Sequence, residues 1–464
     1  MVFSSAIFLW MFLPAVICIH HLIKPQYANL FLLLASLFFY AWGEPVRVLL
    51  LLAVIVISHG VGEAIGRYGT YGRWILAAGV IFDLGVLGFY KYAGFVARIG
   101  NDLAGRDIWQ EPQIILPAGI SFFTFQAVSY LVDIYRGKTK TRHSLVHTAL
   151  YISFFPQLIA GPVIKYADME QQILNRTVSL EQAAAGFRRF ICGLAKKVLI
   201  SDVLGKSADL IFSMDITSVG GRMAWCASLC YTFQIYYDFS GYSDMAVGLG
   251  GMFGFHIPEN FNDPYLSRSV AEFWRRWHIS LGAWFREYVY IPLGGNRKGN
   301  VRTYFNLMIV FLLTGLWHGA DYTFVAWGLY HGIFVLLERT GCMERITKSR
   351  LVSRCYLFLT VNFGWVIFRS DSLRKALMFL KRMLLPWLYA KADMPAGKYV
   401  SGMTVFVAVC AVFGAGGGKK WLSAKLSGKW NGSVPEALCC MILLLLCIAA
   451  AAGSAYSPFI YFKF

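Results

Sequence analysis

Three histidines in the second half of the chain stand where an imidazole is costly to keep. They are His278 in WRRWHISL, His318 in TGLWHGAD and His331 in GLYHGIF. His318 closes an apolar run, FNLMIVFLLTGLW, and Gly319 follows it, which leaves one edge of the ring open to a ligand. Ionisable groups inside a membrane are rare and functional by default. An imidazole kept from water stays uncharged and can take a proton as a general base. The competing reading is a histidine hydrogen-bonded between helices for packing. His331 follows thirteen residues later and precedes Gly332. A seam of small residues, Gly328 and Gly332, explains it as well as chemistry does.

His278 sits among Trp274, Arg275, Arg276 and Trp277. Arginine beside tryptophan in a half-polar membrane segment suits anion binding, cation–π stacking or headgroup anchoring. A coenzyme A or a lipid phosphate fits the first of these. Asp238 and Asp244 stand in an otherwise apolar helix beside Tyr237, Ser240, Tyr242 and Ser243. Buried carboxylates need partners, and Arg275, Arg276 and Arg286 are the obvious ones, so a structural ion pair is favoured over catalysis. His20, His21, His143 and His147 lie near predicted helix ends and read as interfacial. His59 reads as a helix–helix hydrogen bonder, and His256, before Ile257 and Pro258, as a turn residue.

Other strings carry less. GLGGMFG (Gly248 to Gly254) misses the dinucleotide spacing and reads as a packing seam pairing Gly250 with Gly254. GAGGGKK (Gly414 to Lys420) has Phe413 where a phosphate loop begins with glycine and Lys420 where it ends in Ser or Thr. There is no GxSxG elbow and no HExxH. Most of the ten cysteines lie in apolar runs as small hydrophobes, and none has zinc-ligand spacing, so neither a metal site nor a disulfide framework is expected.

The elements that must position these residues follow from composition. Of 464 residues, 57% are apolar or aromatic and 15% charged, against about 25% charged in a soluble domain. That excludes a soluble enzyme, a disordered chain and a small secreted domain. The net charge of +18 falls between apolar stretches, where loop bias and anionic membrane lipids account for it without nucleic acid. Thirteen apolar stretches recur from residues 4–19 to 437–452, and several are too short or too polar to span. The expectation is an all-α polytopic membrane protein, residues 1–464 in one domain, with about eleven spans and one or two re-entrant or interfacial segments. The N-terminal apolar stretch lacks a basic region and a cleavage site, so it reads as a retained first span.

Loop charge gives an orientation. The odd loops among the first five carry Lys24, Arg67, Arg73, Arg136, Lys138, Lys140 and Arg142; the even ones carry Arg47, Arg98 and Arg106. The excess belongs to the cytoplasm, so the N-terminus is expected outside. Residues 236–302 are too polar for lipid and too aromatic for an ordinary loop. Polar backbone at membrane depth survives only when buried in protein or lining a cavity, which makes this stretch the expected cavity wall.

Taken together, FWRRWHISLGAWFREYVYIPLGGNRKG and LLTGLWHGADYTFVAWGLYHG, preceded by YYDFSGYSDMAVGLG and FNDPYLSRS, resemble the membrane-bound O-acyltransferase family. Within it the chain is similar to the alginate and peptidoglycan O-acetyltransferase branch, and MVFSSAIFLWMFLP, ILPAGISFFTFQAVSYLVDIYRG, FFPQLIAGPV and SPFIYFKF fit as well. The resemblance implies a central tunnel through the bilayer and an acyl group taken from a cytoplasmic thioester. It maps the family's near-invariant histidine onto His318 and its second onto His278. Trp317 and Asp321 then shape the surroundings of His318, while Trp274, Arg275 and Trp277 line the tunnel or position the donor, with Asp238, Ser240 and His331 nearby. It further implies acetyl-CoA as donor with no tightly bound cofactor, a periplasmic acetyltransferase- or esterase-like partner protein, a polysaccharide acceptor and a bacterial inner-membrane location.

Two other readings stand beside this one. The related branch transfers D-alanyl groups to teichoic acid. A non-enzymatic proton-coupled transporter, with the buried His and Asp residues as a relay, would show inverted repeats, and none is visible.

Overall fold

A chain this poor in charge must satisfy its backbone internally, and in a computed structural model it does so almost entirely with helices. The structure describes residues 1–139, 144–343, 348–418, 433–453 and 459. Among the described residues, four helices are long and apolar enough to cross a membrane: Val48–Arg67, Gly69–Ala104, Arg350–Arg369 and Val434–Ala452. Shorter apolar helices lie at Phe8–Leu22, Ile120–Tyr135 and Gly402–Gly418. The described residues form two compact units, each assembled from separate stretches of chain.

The first unit comprises Met1–Phe190 and Ser243–Glu259. It holds α1 (Leu13–Leu22), α2 (Ala28–Gly43), α3 (Val48–Arg67), α4 (Gly72–Ala104), α5 (Ile120–Tyr135), α6 (Leu145–Ser153), α7 (Phe155–Leu158), α8 (Tyr166–Asn175) and most of α9 (Leu180–Ala195). Phe3, Phe8, Phe12, Phe39 and Phe155 form its aromatic core. His59 Nδ1 lies 3.1 Å from Thr148 Oγ1, a helix–helix hydrogen bond between α3 and α6 as expected. His20 departs from expectation. It is buried against the ring of Phe253 at 5.1 Å instead of lying at an interface. His143 lies outside the described residues.

The second unit comprises Ile191–Tyr242 and Asn260–Phe464. It contains α10 (Asp202–Ser213), most of α11 (Gly221–Met252), the short α12 (Val270–Arg276) and α13 (Ile279–Phe285), α14 (Gly299–His318), α15 (Tyr322–Arg339), α16 (Arg350–Arg369), α17 (Leu373–Leu384), α18 (Gly402–Phe413) and α19 (Val434–Gly453). α14 and α15 form a close hairpin: a Cβ on Gly315 would meet the Phe324 carbonyl, and one on Gly328 the Phe311 carbonyl.

The glycine seam on α11 differs from the Gly250–Gly254 pairing. Gly248 faces Gly186, with its Cβ position 2.5 Å from the Gly186 carbonyl oxygen. Gly254 instead ends the helix at φ 80. Phe255 N donates to Gly250 O at 2.8 Å and Gly254 N to Gly251 O at 3.2 Å, the paired bonds of a left-handed glycine cap.

Candidate functional site

The sequence around His278 folds as two short helices around one sharp turn. Ser269 caps α12 by accepting from Glu272 N at 3.1 Å. Glu338, from α15, accepts from Val270 N at 2.5 Å and Ala271 N at 2.9 Å. The open N–H groups of the first turn are thus met by a hydroxyl and a carboxylate, the charge that a helix N-terminus favours. α12 stops at Arg276, and His278 turns the chain with φ 47 and ψ 50 before α13 begins. A left-handed residue other than glycine is uncommon and costs about 1–2 kcal/mol. The turn is held by an isolated antiparallel bridge between Phe261 and Trp277, and by Asn262 N donating to Arg276 O at 3.0 Å.

The three histidines meet in one aromatic cluster within the second unit. His278 is 2% exposed, His318 3% and His331 0%. The rings of His278 and His318 lie 6.5 Å apart between centroids. His278 stands edge-on to Phe239 at 4.5 Å and Trp317 at 5.8 Å. His318 packs against Trp317, Trp327 and Phe368 at 4.9, 5.2 and 5.2 Å. His331 touches Trp327 at 5.2 Å and Trp274 at 5.0 Å. Trp365 adjoins Trp277 at 4.9 Å, and its Nε1 donates to Tyr265 Oη at 3.2 Å.

Two expected features take a different form. The space beside Gly319 is filled, because a Cβ there would run into the ring of Phe324. Glycine is therefore required for packing at that point and does not open a route to His318. The buried carboxylates also have other partners than Arg275, Arg276 or Arg286. Lys197 bridges Asp238 at 2.7 Å and Asp202 at 2.8 Å, with side-chain exposures of 5% for Lys197 and 1% for Asp238. Asp244, in the first unit, pairs with Arg189 at 2.7 Å, and Arg189 also holds Glu259. Arg276 is engaged by Glu272 at 2.7 Å.

The structure thus brings His278, His318, His331, Trp274, Trp277 and Trp317 into one cluster. Asp238 and Ser240 flank Phe239 on α11, next to that cluster. Arg275 is exposed. Asp321 caps α15 by accepting from Thr323 N at 3.2 Å. Among the described residues no group of three His, Cys, Asp or Glu side chains gathers to hold a metal. Sequence reasoning missed Trp327, Trp365, Phe368, Asn260 and Lys197. Trp327 carries one usable signal: it lies one turn before His331, where i and i+4 side chains meet.

A charge-poor chain whose described residues are almost entirely helical, with several long apolar helices, is a multi-pass membrane protein. The chain belongs to the membrane-bound O-acyltransferase family, whose description matches residues 138–373 and so includes both histidines. It is 45% identical over 384 residues to the "Probable alginate O-acetylase AlgI" of Pseudomonas aeruginosa, covering 81% of this chain and 73% of that protein. To the Helicobacter pylori "Peptidoglycan O-acetyltransferase" it is 38% identical over 422 residues, covering 83% and 80%. The Bacillus subtilis "Teichoic acid D-alanyltransferase" is 28% identical over 275 residues, covering 54% and 68%. The protein is an O-acyltransferase.

Proposed function

We propose that this enzyme takes acetyl from acetyl-CoA at the cytoplasmic face of a bacterial inner membrane. The acetyl group passes through a tunnel for O-acetylation of an extracytoplasmic polysaccharide, alginate-like or peptidoglycan. A periplasmic partner protein completes transfer to the sugar, and the N-terminus faces the periplasm. No tightly bound cofactor is required. The acetyl reading over the D-alanyl one is supported by identities of 38–45% to acetyl-transferring relatives against 28% to the teichoic acid enzyme.

The observation that carries the reading is the His278–His318 pair, 6.5 Å apart in a buried aromatic wall. Acyl transfer needs a base for the hydroxyl proton. The acceptor oxygen attacks the thioester carbonyl carbon while His318 takes its proton. The C–S bond then breaks, and the departing thiolate recovers the proton from the imidazolium. His278, with Trp274 and Trp277 beside it, positions the donor. Only the two-carbon group crosses, which spares the charged coenzyme the hydrocarbon.

The test uses full-length protein in sealed vesicles with labelled acetyl-CoA supplied to the cytoplasmic face. Acceptor-dependent release of free coenzyme A with label in an ester is expected. Transfer only from an alanyl-carrier thioester would establish the other branch. Absence of any labelled ester with acetyl-CoA as donor would overturn the acetyl-CoA reading.

A further inference from the structure

Asn260 grips the turn that carries His278. Its backbone carbonyl accepts from Ile279 N at 3.0 Å. Its side-chain Oδ1 accepts from Ser280 N at 3.1 Å and from Ser280 Oγ at 2.9 Å. Both side chains are buried. A backbone N–H can only donate, so the amide atom facing Ser280 N must be the oxygen; this settles an orientation that shape alone leaves open. The same oxygen lies 3.2 Å from His278 Nδ1. An amide oxygen can only accept, so Nδ1 is the ring nitrogen that carries hydrogen. In the uncharged ring, Nε2 then holds the lone pair.

We propose that Asn260 is the positioning residue of His278: it fixes the Nδ1–H tautomer and thereby makes Nε2 a hydrogen-bond acceptor toward the acyl donor. The inference rests on the thioester-donor reading above for the identity of that donor, but the tautomer follows from the hydrogen bonds alone. A neutral imidazole with its hydrogen on Nδ1 cannot donate through Nε2 to the thioester oxygen. It accepts from an N–H. A pantetheine thioester offers one two carbons from its sulfur, in the cysteamine amide, whether the arm belongs to coenzyme A or to a carrier protein. With His318 at the hydroxyl and His278 one ring-to-ring step of 6.5 Å away, the two histidines address different parts of the reacting pair. Phe239 and Trp317 stand edge-on to the ring of His278, whose backbone lies in the left-handed region at φ 47.

Two measurements test this. Nitrogen-15 solid-state NMR of the histidine-labelled full chain in lipid, with the His278 signal assigned by its loss in His278→Gln, should show a protonated Nδ1 and an unprotonated Nε2. Asn260→Asp, which keeps an acceptor, should preserve that signature, and Asn260→Leu should lose it. An Nε2–H ring in the wild type overturns the proposal without any variant. For the donor, S-acetyl-N-acetylcysteamine is compared with the analogue whose amide N–H is replaced by an ester oxygen. The wild type should favour the amide in kcat/KM by roughly 2- to 12-fold, the range of one neutral hydrogen bond; Asn260→Asp should keep the preference and Asn260→Leu should abolish it. Equal use of both thioesters by the wild type, or a preference that survives Asn260→Leu, overturns the assignment. Acetyl-CoA and an acetylated carrier protein, run in parallel, show which carries the arm. Failure to use any thioester, with the Nδ1–H signature intact, would instead overturn the donor reading and leave the tautomer standing.

Discussion

The imidazole of His278, on the turn before α13, faces that of His318, on the last turn of α14, with 6.5 Å between ring centroids and Trp317 against both. Both residues are almost wholly buried, at 2% and 3% exposed. The two rings sit on different elements, so their contributions can be separated by substitution.

If His318 is the base, folded His318→Gln should lose acyl transfer by at least about 10²-fold, the lower end of what a positioned base contributes. His278→Gln should act mainly on the apparent affinity for the acyl donor. Both are compared at equal amounts of folded, detergent-purified protein. Near-wild-type turnover by His318→Gln would rule out His318 as the base.

The Lys197 triad is a stability element. Lys197→Met removes the cation that Asp238 and Asp202 share at 2.7 and 2.8 Å, and breaking a buried pair by removing one partner costs about 3–5 kcal/mol. The expected outcome is a large drop in thermal midpoint in detergent. Adding Asp238→Asn to Lys197→Met should recover part of that loss. Arg275→Ala, at an exposed position, should leave the midpoint within the roughly 0.5 kcal/mol range of surface changes. Equal midpoints for Lys197→Met and Arg275→Ala would contradict the assignment.

The orientation is open to labelling. Arg106 and Lys138 are both exposed and stand on either side of α5. In a chain whose ten native cysteines, all free thiols, have been replaced, Arg106→Cys should react with an impermeant maleimide in intact cells. Lys138→Cys should react only after permeabilisation. The reverse pattern would place the N-terminus in the cytoplasm.

What the sequence revealed and what it hid follow from how each residue signals. His278 and His318 are legible because an ionisable ring in an apolar run has few structural excuses. The helical character is legible for the same reason, since a charge-poor chain has few other ways to satisfy its backbone. Lys197 was hidden: KK at 196 and 197 looks like a surface pair, and only a π-helical turn at Lys196–Ser201 sets it against Asp238. Asn260 was hidden because an amide near a proline reads as a loop residue; its role depends on a bridge that pairs residues 261 and 277. Gly250 and Gly254 fit a packing motif by spacing, yet the helix stops at Met252, so their spacing is not that of one helical face. Types and periods are local signals, while partners across the chain are not.

His331 gives the most exacting test of the aromatic cluster. It is fully buried on α15, and a Cβ added at Gly364 on α16 would lie 2.5 Å from its Nε2 and 3.0 Å from its Cε1. No side-chain carbon sits that close to a ring, so Gly364→Ala must displace His331 or part the helices. Overpacking of this kind costs roughly 1–3 kcal/mol. His331 touches Trp327, and Trp327 touches His318, so the displacement should also lower turnover while leaving membrane insertion intact. The cause is separable from a general loss of glycine freedom, because Gly364 is not among the glycines with positive φ. His331→Ala removes the ring that the added methyl group would strike, so the double variant should be less destabilised than the sum of the single ones. A coupling of about 0.5–3 kcal/mol is the range for residues in contact. Thermal unfolding of the four proteins in the same detergent measures it. Strict additivity would mean that His331 and Gly364 do not meet, and the packing described around His318 would then be wrong on that side.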